Sequence, residues 1–260
     1  MSRTFAKRFR AKEALLGMVI YSCSPIVVEN VAYAGLDFAF VDMEHTPIGW
    51  ESLEHMIRAA QVAHAGTVVR VTDNAPWQIR KALEAGADCV IVPHINSRKD
   101  AEQAVKSARF PPQGIRGATS FARVAKYAAD WSTFLGETNK SAVVMAMIEE
   151  QEAVENIEDI ASTEGLAGLN FGPLDYAVSV GVVNSPERQS RTKEALKTVA
   201  AAAKKHNLIL AAALPADKEG FDELASLGYS VFLLGYDLAV LRKFASDGVS
   251  RFKKLTEGSR

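Results

Sequence analysis

Short apolar runs alternate along the chain with longer stretches in which apolar positions recur every three to four residues. Eight runs read as strands, over residues 17–22, 38–43, 67–72, 89–94, 143–148, 168–172, 208–214 and 230–235. Each is continuously apolar, the pattern of a strand buried on both faces of a parallel sheet. Between them, sets such as Trp50, Leu53, Met56, Ile57 and Ala60, or Ile79, Leu83 and Ala87, fall on single helical faces and supply crossover helices. Gly35, Gly66, Gly86, Gly165 and Gly228 stand where helical stretches give way to strand runs, positions that favour a left-handed residue. Eight strands alternating with helices predict an α/β fold, a (β/α)8 barrel. A doubly wound open sheet is the alternative, because strand count alone does not prove closure. No glycine-rich phosphate loop follows a strand.

The 260 residues suit one barrel domain over 1–260, with residues 2–10 expected as a short exposed arm. The segment from Phe110 to Lys140 is far longer than an ordinary connection and is expected to be a lid or a subunit contact. Pro111 and Pro112 stop the preceding helix there, and Arg116, Arg123 and Lys126 offer positive charge to an anion. Net charge is −1, which excludes a strongly basic nucleic-acid binder. Hydrophobic residues at 48% and charged residues at 23% are those of a folded soluble chain. No stretch has the length of a membrane span, and two cysteines, Cys23 and Cys89, suggest a reducing, cytoplasmic setting.

A barrel of this kind places its active site at the carboxyl ends of the strands. The polar residues there are Asp42, Glu44 and His45, Arg70 and Asp73, His94, Glu149 and Glu150, Asp175 and Asp237. Glu149 and Asp175 follow adjacent strands, and two hard carboxylates suit magnesium, manganese or a similar ion; an ordinary ion pair for Glu149 is equally compatible with the spacing. Arg70 is embedded in the apolar run TVVRV, so its guanidinium must be paired or face the barrel mouth. It can stabilise an oxygen that becomes negative, or simply pair with Asp42. His45 is a loop histidine able to exchange protons, and His94 fits a pocket wall. None of the apolar runs contains a lysine, which argues against an imine mechanism.

The runs GLDFAFVDMEHTP, VVRVTDNAPWQIRKALEAGADCVIVPHI, ARFPPQGIRGATSFAR, MIEEQEAVENIEDIASTEGLAGLNFGPLDYAVSVG and LGYSVFLLGYD resemble the HpcH/HpaI aldolase/citrate lyase family across most of residues 15–245. The resemblance implies a barrel of the phosphoenolpyruvate/pyruvate-domain type. It also implies a divalent metal (Mg2+, Mn2+ or Co2+) on Glu149 and Asp175, with Arg70 and His45 as catalytic residues beside Asp42. Gly172 and Pro173 are implied as a pocket floor whose backbone amides receive the substrate carboxylate, and Leu214 as a further pocket residue. An acid that supports the histidine maps onto Glu84. Three departures stand out: Met147 replaces a common glutamine, Tyr176 and Ala177 follow Asp175, and Glu84 is one methylene longer than the usual acid.

The implied reaction is reversible cleavage of a 4-hydroxy-2-oxo acid to pyruvate and an aldehyde through a pyruvate enolate. Oxaloacetate decarboxylation, or a related lyase reaction, shares that enolate, and a barrel that serves only as a binding module is the remaining alternative. Family barrels form trimers or hexamers, so the amphipathic segment 238–257 is expected to be exchanged between subunits.

Overall fold

The computed structural model describes residues 3–129 and 131–257. Strands β1 (Leu15–Ile20), β2 (Phe38–Asp42), β3 (Gly66–Arg70), β4 (Cys89–Val92), β5 (Val144–Ile148), β6 (Gly168–Phe171), β7 (Ile209–Ala213) and β8 (Tyr229–Tyr236) pair in parallel, in order. β8 returns to β1 and closes the barrel, so the open-sheet alternative is excluded. Helices α1 (Arg3–Arg10), α2 (Pro25–Tyr33), α3 (Trp50–Val62), α4 (Pro76–Ala85), α5 (Arg98–Ala108), α6 (Trp131–Ser141), α7 (Gln151–Glu155), α8 (Ile157–Ala161), α9 (Pro173–Ser179), α10 (Arg188–Lys205), α11 (Lys218–Ser226) and α12 (Asp237–Thr256) complete the chain.

Two packed layers follow from the period of two along each strand. Phe38, Phe40, Val68, Ile91, Met145, Met147, Ala211 and Val231 fill the barrel interior, while Ala39, Val41, Val69, Val90, Val144, Ala146 and Ile148 face the helices. Continuing the inward parity of β2, β3 and β5 by one step puts Asp42, Arg70 and Glu149 inside the carboxyl-terminal mouth. That is how an apolar scaffold carries a polar site.

The opposite end differs from the sequence expectation. Residues 3–10 are helical, and Phe5 and Phe9 are buried against Phe38 and Leu15, closing the amino-terminal end of the barrel. Ring centroids lie 5.5 Å apart for Phe5 and Phe9 and 5.6 Å for Phe5 and Phe38. The missed signal is the i, i+4 spacing of two phenylalanines inside a basic segment. Residue 2 of the expected arm lies outside the described residues. Gly66 also has a different reason from the one its position suggested. It lacks the positive φ of Gly35, Gly86, Gly165 and Gly228, and a Cβ on it would fall 2.2 Å from the Phe5 ring.

The long segment after α5 is not a lid over the mouth. It joins a helix to the following strand, a connection that belongs to the amino-terminal end. There Phe110 and Phe134 pack edge to face at 5.8 Å, and Asn139 brackets Phe110 through both its N–H and carbonyl. Arg123 donates to the Ala85 carbonyl at 2.9 Å and to Gln61, and Arg116 is buried over the Phe110 ring.

Candidate active site

Asp42 and Arg70 end neighbouring strands in register and form a buried, two-point ion pair. Arg70 Nε donates to Asp42 Oδ1 at 3.0 Å and Nη2 to Oδ2 at 2.5 Å. Burial alone would favour neutral groups; the pairing outweighs it, holding the Asp42 carboxyl below the usual range and the Arg70 guanidinium above its own. Asp42 Oδ1 also accepts the backbone N–H groups of Glu44, at 3.0 Å, and His45, at 3.4 Å, which folds the loop after β2 over the mouth. Arg70 Nη1 lies 3.2 Å from Glu44 Oε2 and 3.4 Å from the sulfur of Met147. Met147 thus stands beside Arg70 as a soft, weak acceptor.

Glu149 is almost wholly enclosed, 2% exposed. Its Oε1 accepts the His94 N–H at 2.9 Å, a contact made possible by a left-handed His94 with φ of 55°. The His94 ring reaches Glu150 Oε1 at 2.8 Å through Nδ1 and Glu44 Oε1 at 3.2 Å through Nε2. Burial pushes Glu149 above the usual carboxylate range, the His94 N–H opposes this, and the charge of Glu44 adds to it. Burial lowers His94, but Glu150, Glu149 and Glu44 together raise it. Ligand atoms of Glu44, His94 and Glu149 lie within 4.8 Å of one another. Glu44 Oε2 is buried and accepts no hydrogen bond, with Arg70 as its nearest counter-charge.

Asp175, in the first turn of α9, lines one cavity with Glu44, His45, His94, Glu149 and Glu150. It also borders an adjoining cavity of about 420 Å³ that holds Arg70, His45, Met147, Asn170, Gly172 and Pro173. Gly172 is required there: a Cβ would lie 2.9 Å from Glu149 Cβ. The expected carboxylate receptor needs correction. Pro173 has no N–H, and the Gly172 N–H donates to the Ile148 carbonyl at 2.9 Å. The first-turn donors left over are Leu174 and Asp175, because helical bonding begins with Tyr176 donating to the Gly172 carbonyl.

Two other expected residues lie outside this cavity. Leu214 is exposed and absent from the lining, where Ala212 and Ala213 stand instead. Glu84 sits in the last turn of α4, towards the amino-terminal end, and faces a separate outer cavity with Trp50, Glu54 and Lys81. It orients neither Arg70 nor His45 of its own chain. Glu44 was legible only as an acid at a strand end; its inward direction follows from the β2 parity that Phe38, Phe40 and Asp42 set.

A closed parallel barrel with a buried arginine and an acid cluster at its carboxyl-terminal mouth has the architecture of a barrel enzyme. The chain belongs to the HpcH/HpaI aldolase/citrate lyase family, whose model matches residues 15–243. It is 30% identical to 5-keto-4-deoxy-D-glucarate aldolase of Escherichia coli O139:H28, over 96% of both chains. It is 34% identical to 2-dehydro-3,6-dideoxy-6-sulfogluconate aldolase of Pseudomonas putida, over 68% of this chain and 69% of that one. Among solved structures, a family protein from Burkholderia cenocepacia superposes with a TM-score of 0.87 at 29% identity, covering 96% of this chain and 99% of its own. The citrate synthase SbnG superposes with a TM-score of 0.86 at 30% identity, covering 98% of each. The protein is a carbon–carbon lyase of the aldolase type.

Proposed function

We propose that the protein is a divalent-metal-dependent aldolase that reversibly cleaves a 4-hydroxy-2-oxo acid to pyruvate and an aldehyde. The observation that carries this reading is the junction of two cavities, one acid-lined and one holding Arg70, through the shared residues His45 and Asp175. Glu149 and Asp175 would hold Mg2+, Mn2+ or Co2+, with Glu44 at hand. The fit rests on the hard oxygen donors and on Glu44 Oε2, buried without a hydrogen bond. When bound, the ion supplies Lewis-acid polarisation to a chelating 2-oxo acid.

The chain's own residues do the rest. The Leu174 and Asp175 N–H groups receive the substrate carboxylate at the start of α9. Arg70, held by Asp42, presents Nη1 to the oxygen that gains charge as the enolate forms. Asp42 is a positioning residue. His45 takes the proton from the 4-hydroxyl as the carbon–carbon bond breaks, and returns it in the condensation direction. Decarboxylation of oxaloacetate is a second reading, favoured by the likeness to a citrate synthase and sharing the Arg70 step.

Exchange of pyruvate methyl protons into deuterated water tests this reading. Exchange is expected with metal and none in excess chelator; full exchange in chelator overturns the metal assignment, and no exchange under any condition leaves a binding module. Arg70→Ala should suppress exchange by about 10²–10³-fold. His45→Ala should slow aldol cleavage by about 10²–10⁴-fold while sparing oxaloacetate decarboxylation, where no 4-hydroxyl is deprotonated. Equal loss in both reactions would remove the hydroxyl role from His45.

The same proposal includes a homo-oligomer, a trimer or hexamer. Val240, Leu241, Phe244, Phe252 and Leu255 of α12 are exposed, a face suited to a second copy. A cytoplasmic setting accords with the free thiols of Cys23 and Cys89. No helix among the described residues is long and apolar enough to cross a membrane.

A further inference from the structure

Beyond Arg70, His45, Asn170 and Asp175, the cavity that holds Arg70 has a largely apolar wall. Val19, Phe40, Ala212 and Leu233 line it, and Tyr21 and Tyr236 stack edge to face at 5.2 Å. Tyr236 and Leu233 come from the carboxyl end of β8, where alternate residues are partly exposed, which puts this wall at the entrance. Among the described residues that line the cavity, only Arg70 and His45 can carry positive charge.

Arg70 is already engaged within the chain and is the group set against the enolate oxygen. Nε and Nη2 are committed to Asp42, and Nη1 stands against Glu44 and the Met147 sulfur. The surrounding field is unfavourable as well, since Asp42, Glu44, Glu149, Glu150 and Asp175 crowd the same mouth. A substrate carboxylate can be met at the start of α9. A further carboxylate or sulfonate on the aldehyde half would leave water for a largely apolar wall and a ring of acids, with no cation beyond Arg70 and His45 among this chain's described lining residues to offset its desolvation.

We infer that the aldehyde half of the substrate is uncharged and carries an apolar or aromatic group seated against Leu233, Tyr21 and Tyr236. This rests on the aldolase reading and goes beyond it in naming the substrate class. It also sets the chain apart from the two relatives above, whose names specify a glucarate and a sulfogluconate, each with a second acidic group.

Matched aldehydes decide the matter. Condensation with pyruvate is followed for butanal against succinic semialdehyde, and for benzaldehyde against 4-carboxybenzaldehyde; each pair differs by one carboxylate. The uncharged member is expected to have at least a tenfold higher kcat/KM in both pairs. Equal values, or a preference for the acids, overturn the inference while leaving the aldolase reading intact. Pyruvate methyl exchange, measured alongside without any aldehyde, reports that reading separately. Leu233→Arg should move the ratio within each pair towards the acid by at least tenfold, a readout that cancels any general loss of activity. Tyr236→Lys, at a half-exposed position, supplies the same test should the first variant fold poorly. If the wild-type ratio favours the uncharged aldehydes and neither variant moves it, the seat assigned to Leu233 and Tyr236 is wrong.

Discussion

At the amino-terminal end of the barrel, Asp37 and Asp88 each accept a backbone N–H from the neighbouring strand, Leu16 to Asp37 Oδ2 and Thr67 to Asp88 Oδ2, both at 2.9 Å. Arg8 completes Asp37 at 2.5 Å. At the carboxyl-terminal end, Glu44 and Glu149 are as enclosed, yet one Glu44 oxygen accepts no hydrogen bond and Glu149 is pushed up by burial and by Glu44 itself. The same residue type therefore serves to finish the sheet at one end and stands under mutual repulsion at the other. The apolar residues divide likewise: Phe5 and Phe9 fill one end, whereas the other keeps a cavity between Leu233 and Met147. Stability concentrates where polar groups are matched, and reactivity where a cation or substrate is needed to match them.

If that division holds, substitutions at the plug should cost stability and spare chemistry. Phe5→Ala removes a buried ring packed against Phe9 and Phe38, and should lower unfolding free energy by about 3–5 kcal/mol. Denaturant melts give the stability, and pyruvate methyl exchange well below the transition should stay within about twofold. A loss of exchange at full stability would mean that the two ends are coupled through the barrel core.

The features that could be read from the chain are those where a charge interrupts an apolar run. Arg70 in TVVRV had to be paired or face the mouth, and it does both. The barrel itself was legible because eight runs alternate with helical periodicity. Inward and outward positions were not, since both faces of each strand are buried and the run is apolar throughout. His94 needed a left-handed backbone to turn its N–H onto Glu149, which no spacing announces. Glu84 shows the opposite case: a motif match places an acid in sequence, whereas the last turn of α4 places it at the far end of the barrel of its own chain.

The mouth offers the converse test. Glu149→Gln keeps the oxygen that accepts the His94 N–H while removing one of two facing charges. In metal-free buffer its Tm should rise by a few degrees, while metal-dependent pyruvate exchange disappears. A fall in Tm would show that the acid cluster is already balanced within the chain, contrary to the contrast drawn between the two ends.

The smallest effect sharpens the comparison by pH. Burial raises Asp88 from about 3.8 to about 6, against the Thr67 hydrogen bonds that lower it. In that window the folded chain binds more protons than the unfolded one, so the Asp88 contribution to stability is greatest below about pH 4. It falls as pH rises through about 6 and stays low at neutral pH. Asp88→Asn still offers an oxygen to the Thr67 N–H but carries no charge at any pH. The variant should therefore match the wild type near pH 4 and exceed it at pH 7.5 by about 1–2 kcal/mol, a figure reduced from the full shift to allow for solvent screening. Denaturant melts at the two pH values give the difference directly. A stability gap of the same size at both would mean that Asp88 stays ionised in the folded chain across the range. The amino-terminal end would then hold its acid as a fully matched charge, and the contrast with the mouth would be stronger than the one drawn above.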